Sequence, residues 1–223
     1  MTDFENARKT MVDSQLLPDN VSDRGVLAAM GSVPREEFVP SRLRSLSYMD
    51  RDLPLKEASE SGPARSLMDP ASFGRLVQLA ALADGDFVLD VGCASGYSAA
   101  VLAHLTDSVI ALESEEELAA QASETLTDLE VDNAAVVIGN LEAGYPDEGP
   151  YDAIVLGGSV EVVPEALIGQ LKDGGRLVVV IGEGQSGRAT IVTKLDGEIS
   201  FRAAFDADVP PLPGFKKATA FVF

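Results

Sequence analysis

The chain has one cysteine, one histidine and fewer than half as many basic as acidic residues, 17 against 36. Each shortage removes a class of function. A lone Cys93 cannot close an internal disulfide, and with only His104 beside it no zinc cluster can be built from thiolate and imidazole, so no metal site is expected. Affinity for nucleic acid comes largely from lysine and arginine displacing counterions, and a formal net charge of -19 repels a phosphate backbone and an anionic membrane surface alike. No apolar run approaches the length of a membrane span, and the first ten residues lack the apolar centre of a secretory signal. The expectation is a cytoplasmic protein whose partners are neither nucleic acid nor membrane. Its acidity reads as a strongly solvated surface suited to a salty medium.

What is present is an ample core and a regular alternation. With 223 residues and 46% hydrophobic content, the chain can bury a full α/β domain with an added segment. Residues 4–17 carry the spacing of an amphipathic helix and residues 23–30 that of a shorter one, together an amino-terminal helical appendage. Pro34, Pro40 and Pro54 punctuate an irregular stretch anchored by Phe38, Val39, Leu43 and Leu46. Residues 56–70, rich in Ser, Glu, Gly and Pro, read as a loop and candidate lid leading into a helix over 71–83. Apolar strand runs then follow at 87–91, 108–112, 134–138, 151–156 and 175–181, with helical segments between them. Residues 189–194 and 218–223 suggest closing strands in a hairpin-like edge. The fold class expected is α/β: a Rossmann-like, doubly wound, mostly parallel sheet with an antiparallel edge, plus the helical appendage.

The segment 87–97, Phe-Val-Leu-Asp-Val-Gly-Cys-Ala-Ser-Gly-Tyr, is a buried strand running into a glycine turn and then a helix. Gly92 and Gly96 let backbone approach a ligand where a Cβ would collide. A dinucleotide fingerprint needs glycine at relative positions one, three and six, but here they hold Gly92, Ala94 and Tyr97, which weakens a hydride-transfer reading. Two carboxylates point elsewhere. Glu113 closes the second strand, where it could accept both hydroxyls of a ribose, and Asp90 near the turn could hold an ammonium group. S-adenosylmethionine has that ribose and no pyrophosphate, and is the cofactor expected.

The segments Met11-Val-x-x-Gln-Leu16, Val33-Pro-Arg-Glu-Glu-Phe-Val-Pro40, Tyr48-Met-Asp-Arg-Asp-Leu-Pro54, the glycine turn, Tyr151-Asp-Ala-Ile-Val155 and Leu171-Lys-Asp-Gly-Gly-Arg-Leu177 follow one another over about the first 185 residues. In them the chain resembles the protein-L-isoaspartate O-methyltransferases, as a divergent member of that family of class I S-adenosylmethionine-dependent enzymes. The resemblance implies methyl transfer to the carboxylate of isoaspartyl residues in damaged proteins or peptides. It also implies a cofactor site of Asp90, Gly92, Cys93, Ala94, Gly96, Glu113, Asn140 and Leu141. Residues 1–70 would form the appendage and part of the acceptor site, and residues 71–223 the cofactor-binding domain.

Departures fall at functional positions. The family's Gly-Gln-Thr-Ile-Ser-Gln-Pro segment, whose hydroxyls hold the substrate carboxylate, is matched by Ala64-Arg-Ser-Leu-Met-Asp-Pro70. Ser66 replaces the threonine, but Met68 stands at the serine, and a thioether cannot donate a hydrogen bond. Losing such a contact to a charged group costs about 1.5–3 kcal/mol. Arg65 could compensate as a bidentate fork on the acceptor, while Asp69 would repel it. Ser66 and Arg65 are therefore the acceptor-site candidates. Asn140 stands where the family's aspartate accepts from the adenine amino group, and the carboxyl-terminal stretch 206–217 also differs, with consequences for substrate reach. Two alternatives remain open: the same cofactor with an unknown carboxylate or small-molecule acceptor, and a non-catalytic cofactor-binding protein.

Overall fold

A computed structural model describes residues 3–58, 64–182 and 186–216. The appendage begins with α1 (Asp3–Met11), which continues as a π-helical turn over Val12–Leu16, so the stretch 4–17 holds two helical geometries rather than one helix. Helix α2 (Arg24–Ser32) is capped by the Asp23 carboxylate, which accepts from Val26 N at 3.0 Å. Two 3-10 turns, Arg35–Phe38 and Ser41–Leu46, fill the proline-punctuated stretch.

The segment expected to be a loop contains a strand. β1 (Leu53–Lys56) and β2 (Arg65–Leu67) pair antiparallel with Leu53 opposite Leu67 and Pro54 opposite Ser66, and their leucines are buried while the intervening residues are half-buried. Three residues are too short for period-two alternation to stand out beside a Ser/Glu/Gly/Pro-rich neighbourhood. Helix α3 (Pro70–Ala80) follows at once, with Pro70 in its first turn and Asp69 as cap, accepting from Ser72 N at 2.8 Å.

The remaining chain alternates β3 (Phe87–Val91), α4 (Tyr97–Ala103), β4 (Ser108–Glu113), α5 (Glu116–Asp128), β5 (Ala134–Ile138), β6 (Tyr151–Val160), α6 (Glu165–Gly169) and β7 (Leu171–Ile181), and ends in β8 (Arg188–Leu195) and β9 (Glu198–Asp206). The seven strands β3–β9 lie in the order β5-β4-β3-β6-β7-β8-β9, parallel as far as β7 and antiparallel for the last two. This is the expected doubly wound sheet with an antiparallel edge. Strand β8 forms its hairpin with β9, and the strand expected over 218–223 lies outside the described residues. The turn carries a signal that had been available: Asp196 and Gly197 both have positive φ, 51° and 81°, as a two-residue hairpin of Asp-Gly type demands.

Strand β3 divides the core. Val88 joins the cluster with Met11, Phe38, Leu76 and Val101 on the appendage side, while Leu89 and Val91 join Leu112, Ile154, Leu167 and Leu177 on the other. Asp90 therefore shares a face with Val88 and looks toward the appendage. Sequential strands diverge between β3 and β6, and the crevice beyond their carboxyl ends is where a fold of this topology places a ligand. Tyr97, at the start of α4, meets Phe38 edge-on at 5.6 Å and Phe73 at 5.7 Å, so its ring ties the appendage to the glycine turn. Arg35 is wholly buried over that ring and donates to the carbonyls of Ser47 at 2.7 Å and Met68 at 2.6 Å. Arg35, from the motif Val33-Pro-Arg-Glu-Glu-Phe-Val-Pro40, thus ties down the backbone at Met68 just ahead of α3. Among the described residues no helix is long and apolar enough to cross a membrane.

Candidate active site

The glycine turn is tightly enclosed. A Cβ on Gly92, whose φ is +82°, would lie 2.7 Å from a Leu212 methyl, and one on Gly96, at φ +94°, would press on Ala122 of α5 at 3.0 Å. Gly92 N and Cys93 N both donate to Leu112 O, at 2.8 and 3.2 Å, which binds the turn to the end of β4. Ala94 completes it with a φ of 50°. Cys93 is buried within the turn, and burial pushes its thiol well above its ordinary range, which keeps it unreactive.

Asp90 is fully buried, with Oδ2 accepting from Ser98 Oγ at 2.5 Å and Oδ1 lacking any hydrogen-bond partner. Desolvation pushes its carboxyl up to about 7, against the Ser98 hydrogen bond, with Glu113 adding to the rise and Arg65 opposing it. An unpaired buried acceptor next to a glycine turn suits an ammonium group.

Glu113 is equally buried and heavily engaged. Oε1 accepts from Arg65 Nη1, from Ser114 N at 2.8 Å and from Glu115 N at 3.0 Å, and Oε2 accepts from Ala94 N at 2.8 Å. Arg65, 3% exposed in its side chain, also donates from Nη2 to Gly92 O at 3.1 Å. The structure therefore draws Arg65 from β2 across the crevice onto the carboxylate that a ribose would use, not toward an acceptor. A carboxylate offers about four acceptor sites and all are taken here, so a sugar hydroxyl finds room on Glu113 only when Arg65 releases it. Asp69 is likewise committed, as the cap of α3.

Asn140 is exposed at the end of β5, where Oδ1 accepts from Glu142 N at 3.1 Å, and Leu141 beside it is buried. His104 is exposed at the end of α4. Among the described residues no group of histidine, cysteine, aspartate and glutamate side chains could hold a metal ion.

Two cavities meet at Ser66. The smaller, about 20 Å³, lies among Met68, Phe73, Gly92, Tyr97 and Ser98 and has room for one water. The larger, about 260 Å³, is bounded by Ser66, Ser159, Glu161, Leu212, Phe215 and Lys216. Its roof is the carboxyl-terminal strap, laid alongside β6 by hydrogen bonds from Ser159 N to Pro210 O at 2.9 Å and from Leu212 N to Ser159 O at 2.8 Å. Ser159 escaped the sequence reading; the available signal was Gly157-Gly158 just before it, at the end of a buried strand. The glycine turn and Asp90 fit S-adenosylmethionine, and Glu113 fits it once freed of Arg65.

Residues 6–211 match the family described as protein-L-isoaspartate(D-aspartate) O-methyltransferase. Over 191 residues the chain is 42% identical to protein-L-isoaspartate O-methyltransferase 2 of Anaeromyxobacter sp. (strain Fw109-5), covering 85% of this chain and 76% of that one. Over 203 residues it is 37% identical to protein-L-isoaspartate O-methyltransferase of Gloeobacter violaceus, covering 91% and 96%. Among solved structures, a protein-L-isoaspartate O-methyltransferase aligns with a TM-score of 0.80 at 25% identity over 93% of this chain and 66% of that one. The fold is shared also with a Plasmodium falciparum protein described as a putative enzyme of this kind in complex with S-adenosyl-L-homocysteine, at a TM-score of 0.74 and 23% identity over 91% of this chain and 96% of that one. With residues 6–211 matching the family pattern and the glycine turn, Asp90 and Glu113 gathered at the sheet's switch point, the chain belongs to the protein-L-isoaspartate(D-aspartate) O-methyltransferase family.

Proposed function

We propose that the chain is an S-adenosylmethionine-dependent carboxyl methyltransferase acting on L-isoaspartyl residues of damaged proteins and peptides. The observation that carries this reading is the adjacency of two spaces sharing Ser66: one beside the glycine turn, one open to an acceptor. When bound, the cofactor supplies an electrophilic methyl on a sulfonium. The protein's part is binding and alignment. Asp90 holds the donor's ammonium through its unpartnered Oδ1, and Glu113 holds the sugar. Gly92, Cys93, Ala94 and Gly96 shape the turn, and Asn140 and Leu141 lie toward the base. Ser66 donates to the acceptor carboxylate. That carboxylate is ionised at neutral pH and is itself the nucleophile, so no general base is needed. The strap over the larger cleft limits access of water.

Residues 1–70 serve as the acceptor-side unit in this reading and residues 71–223 as the cofactor-binding unit. Arg65 acts from the acceptor side as an occupant of the sugar site. A net charge of -19 favours peptide over nucleic-acid or membrane partners, in a cytoplasmic setting. The test is transfer of labelled methyl from S-adenosylmethionine to an isoaspartyl peptide, with the matching aspartyl peptide as control. Base-labile label on the isoaspartyl peptide alone is expected. Label on neither, in protein shown to bind the cofactor, would point to a different acceptor.

A further inference from the structure

We infer that Ser159 binds the acceptor carboxylate, supplying from β6 the hydroxyl that Met68 cannot supply from the acceptor segment. This rests on the function proposed above. Ser159 is 1% exposed, lines the larger cleft, and its Oγ has no hydrogen-bond partner. Its backbone is fully used, N to Pro210 O and O from Leu212 N, so the hydroxyl is the residue's one uncommitted group. A buried hydroxyl without a partner weakens a fold, and a site that keeps one gains from a ligand able to accept its proton.

The local backbone explains how the hydroxyl comes to be there. Between the pairings Val155 with Val178 and Ser159 with Val180, β6 advances four residues while β7 advances two, so the strand bulges. The bulge is Gly157-Gly158, and side chains are excluded at both positions. A Cβ on Gly157 would lie 2.7 Å from Gly92 O, and one on Gly158 would lie 2.6 Å from Pro210 O. The two glycines let β6 pass between the cofactor turn and the strap, and Ser159 emerges between them at the carboxyl end of the sheet.

Met68 lines only the smaller cavity, and its carbonyl is fixed by Arg35, so the acceptor segment brings Ala64 and Ser66 to the larger cleft, and of its side chains there only Ser66 carries a hydroxyl. Ser159 across that cleft gives a second neutral donor, enough to pair both oxygens of one carboxylate. The charged groups at the cleft are Lys216 and Glu161, both exposed and of opposite sign, while Ser159 is buried and Ser66 half-buried.

The test compares wild type with Ser159→Ala for KM and kcat on an isoaspartyl peptide, affinity for S-adenosyl-L-homocysteine, and melting temperature. Loss of a hydrogen bond to a charged group should raise KM about tenfold or more. Product affinity should stay within twofold, and the melting temperature should hold or rise, because the hydroxyl removed has no partner in the fold. An unchanged KM would overturn the inference while leaving the proposed function intact. A raised KM accompanied by a lower melting temperature and weaker product binding would also overturn it, by assigning Ser159 a structural role. A wild type that binds the product but methylates no isoaspartyl peptide would overturn the proposed function itself, and the inference with it.

Discussion

At the residue scale, the chemistry of the crevice turns on how Asp90 is ionised. Its carboxyl rises to about 7 because burial removes water from the charged form and Ser98 alone cannot replace it. A folded-state value above the ordinary one means that the stability Asp90 contributes is fully present only below about 4, the ordinary carboxyl value, and is lost progressively as pH rises from there through about 7. Ligand binding runs the opposite way, since a donor ammonium needs the ionised form. Affinity for S-adenosyl-L-homocysteine should therefore fall roughly five- to tenfold between pH 7.5 and pH 6. Asp90→Asn should bind weakly with little dependence on pH over that range. Calorimetric titration at the two pH values decides it, and equal wild-type affinities would remove Asp90 from the ammonium site.

At the element scale, the β1–β2 pair carries Arg65 onto Glu113 at the end of β4. Arg65 leaves this short hairpin to neutralise Glu113, and the ion pair is almost wholly enclosed, with side chains 3% and 0% exposed. Breaking a buried pair from one side costs about 3–5 kcal/mol, moderated here by the three backbone N–H groups that still face Glu113. Arg65→Gln should accordingly lower unfolding stability by about 3 kcal/mol or somewhat less in urea while tightening S-adenosyl-L-homocysteine binding, since the sugar no longer competes for the carboxylate. Weaker product binding in that variant would make Arg65 a supporting part of the site rather than a competitor for it. No sequence pattern announces this contact. Asp90, Gly92 and Glu113 could be placed because strand, turn and strand have fixed spacing, and 134–138 was read to the residue because its flanks are polar. The reach of Arg65 depends on a strand of three residues and on the geometry between two units, which periodicity does not encode. The pairing of β8 with β9 was missed for a different reason. β9 is an edge strand whose residues are nearly all exposed, so the Asp196-Gly197 turn was a better guide than hydrophobicity.

At the scale of the whole molecule, 36 acidic against 17 basic side chains leave most carboxylates without a cation to pair with. Mutual repulsion between them acts through solvent and opposes the compact state. The buried Arg65–Glu113 contact is shielded from salt, whereas the exposed carboxylates, as on Glu116 and Glu117 at the start of α5, are not. Raising ionic strength from 0.1 M to 1 M shortens the screening length from about 10 Å to about 3 Å, less than the spacing of most surface charges. Repulsion should collapse while the enclosed interactions persist. The melting temperature should then rise on the order of 5 °C between 0.1 M and 1 M potassium chloride, a gain equivalent to about 1–3 kcal/mol for a chain of this size. Chloride is the informative salt, because sulfate would strengthen apolar burial as well and confuse the two effects. A melting temperature that stays level in chloride would mean that the carboxylates are spaced widely enough to be harmless at low salt, and the acidic surface would then serve solubility rather than stability in a salty medium.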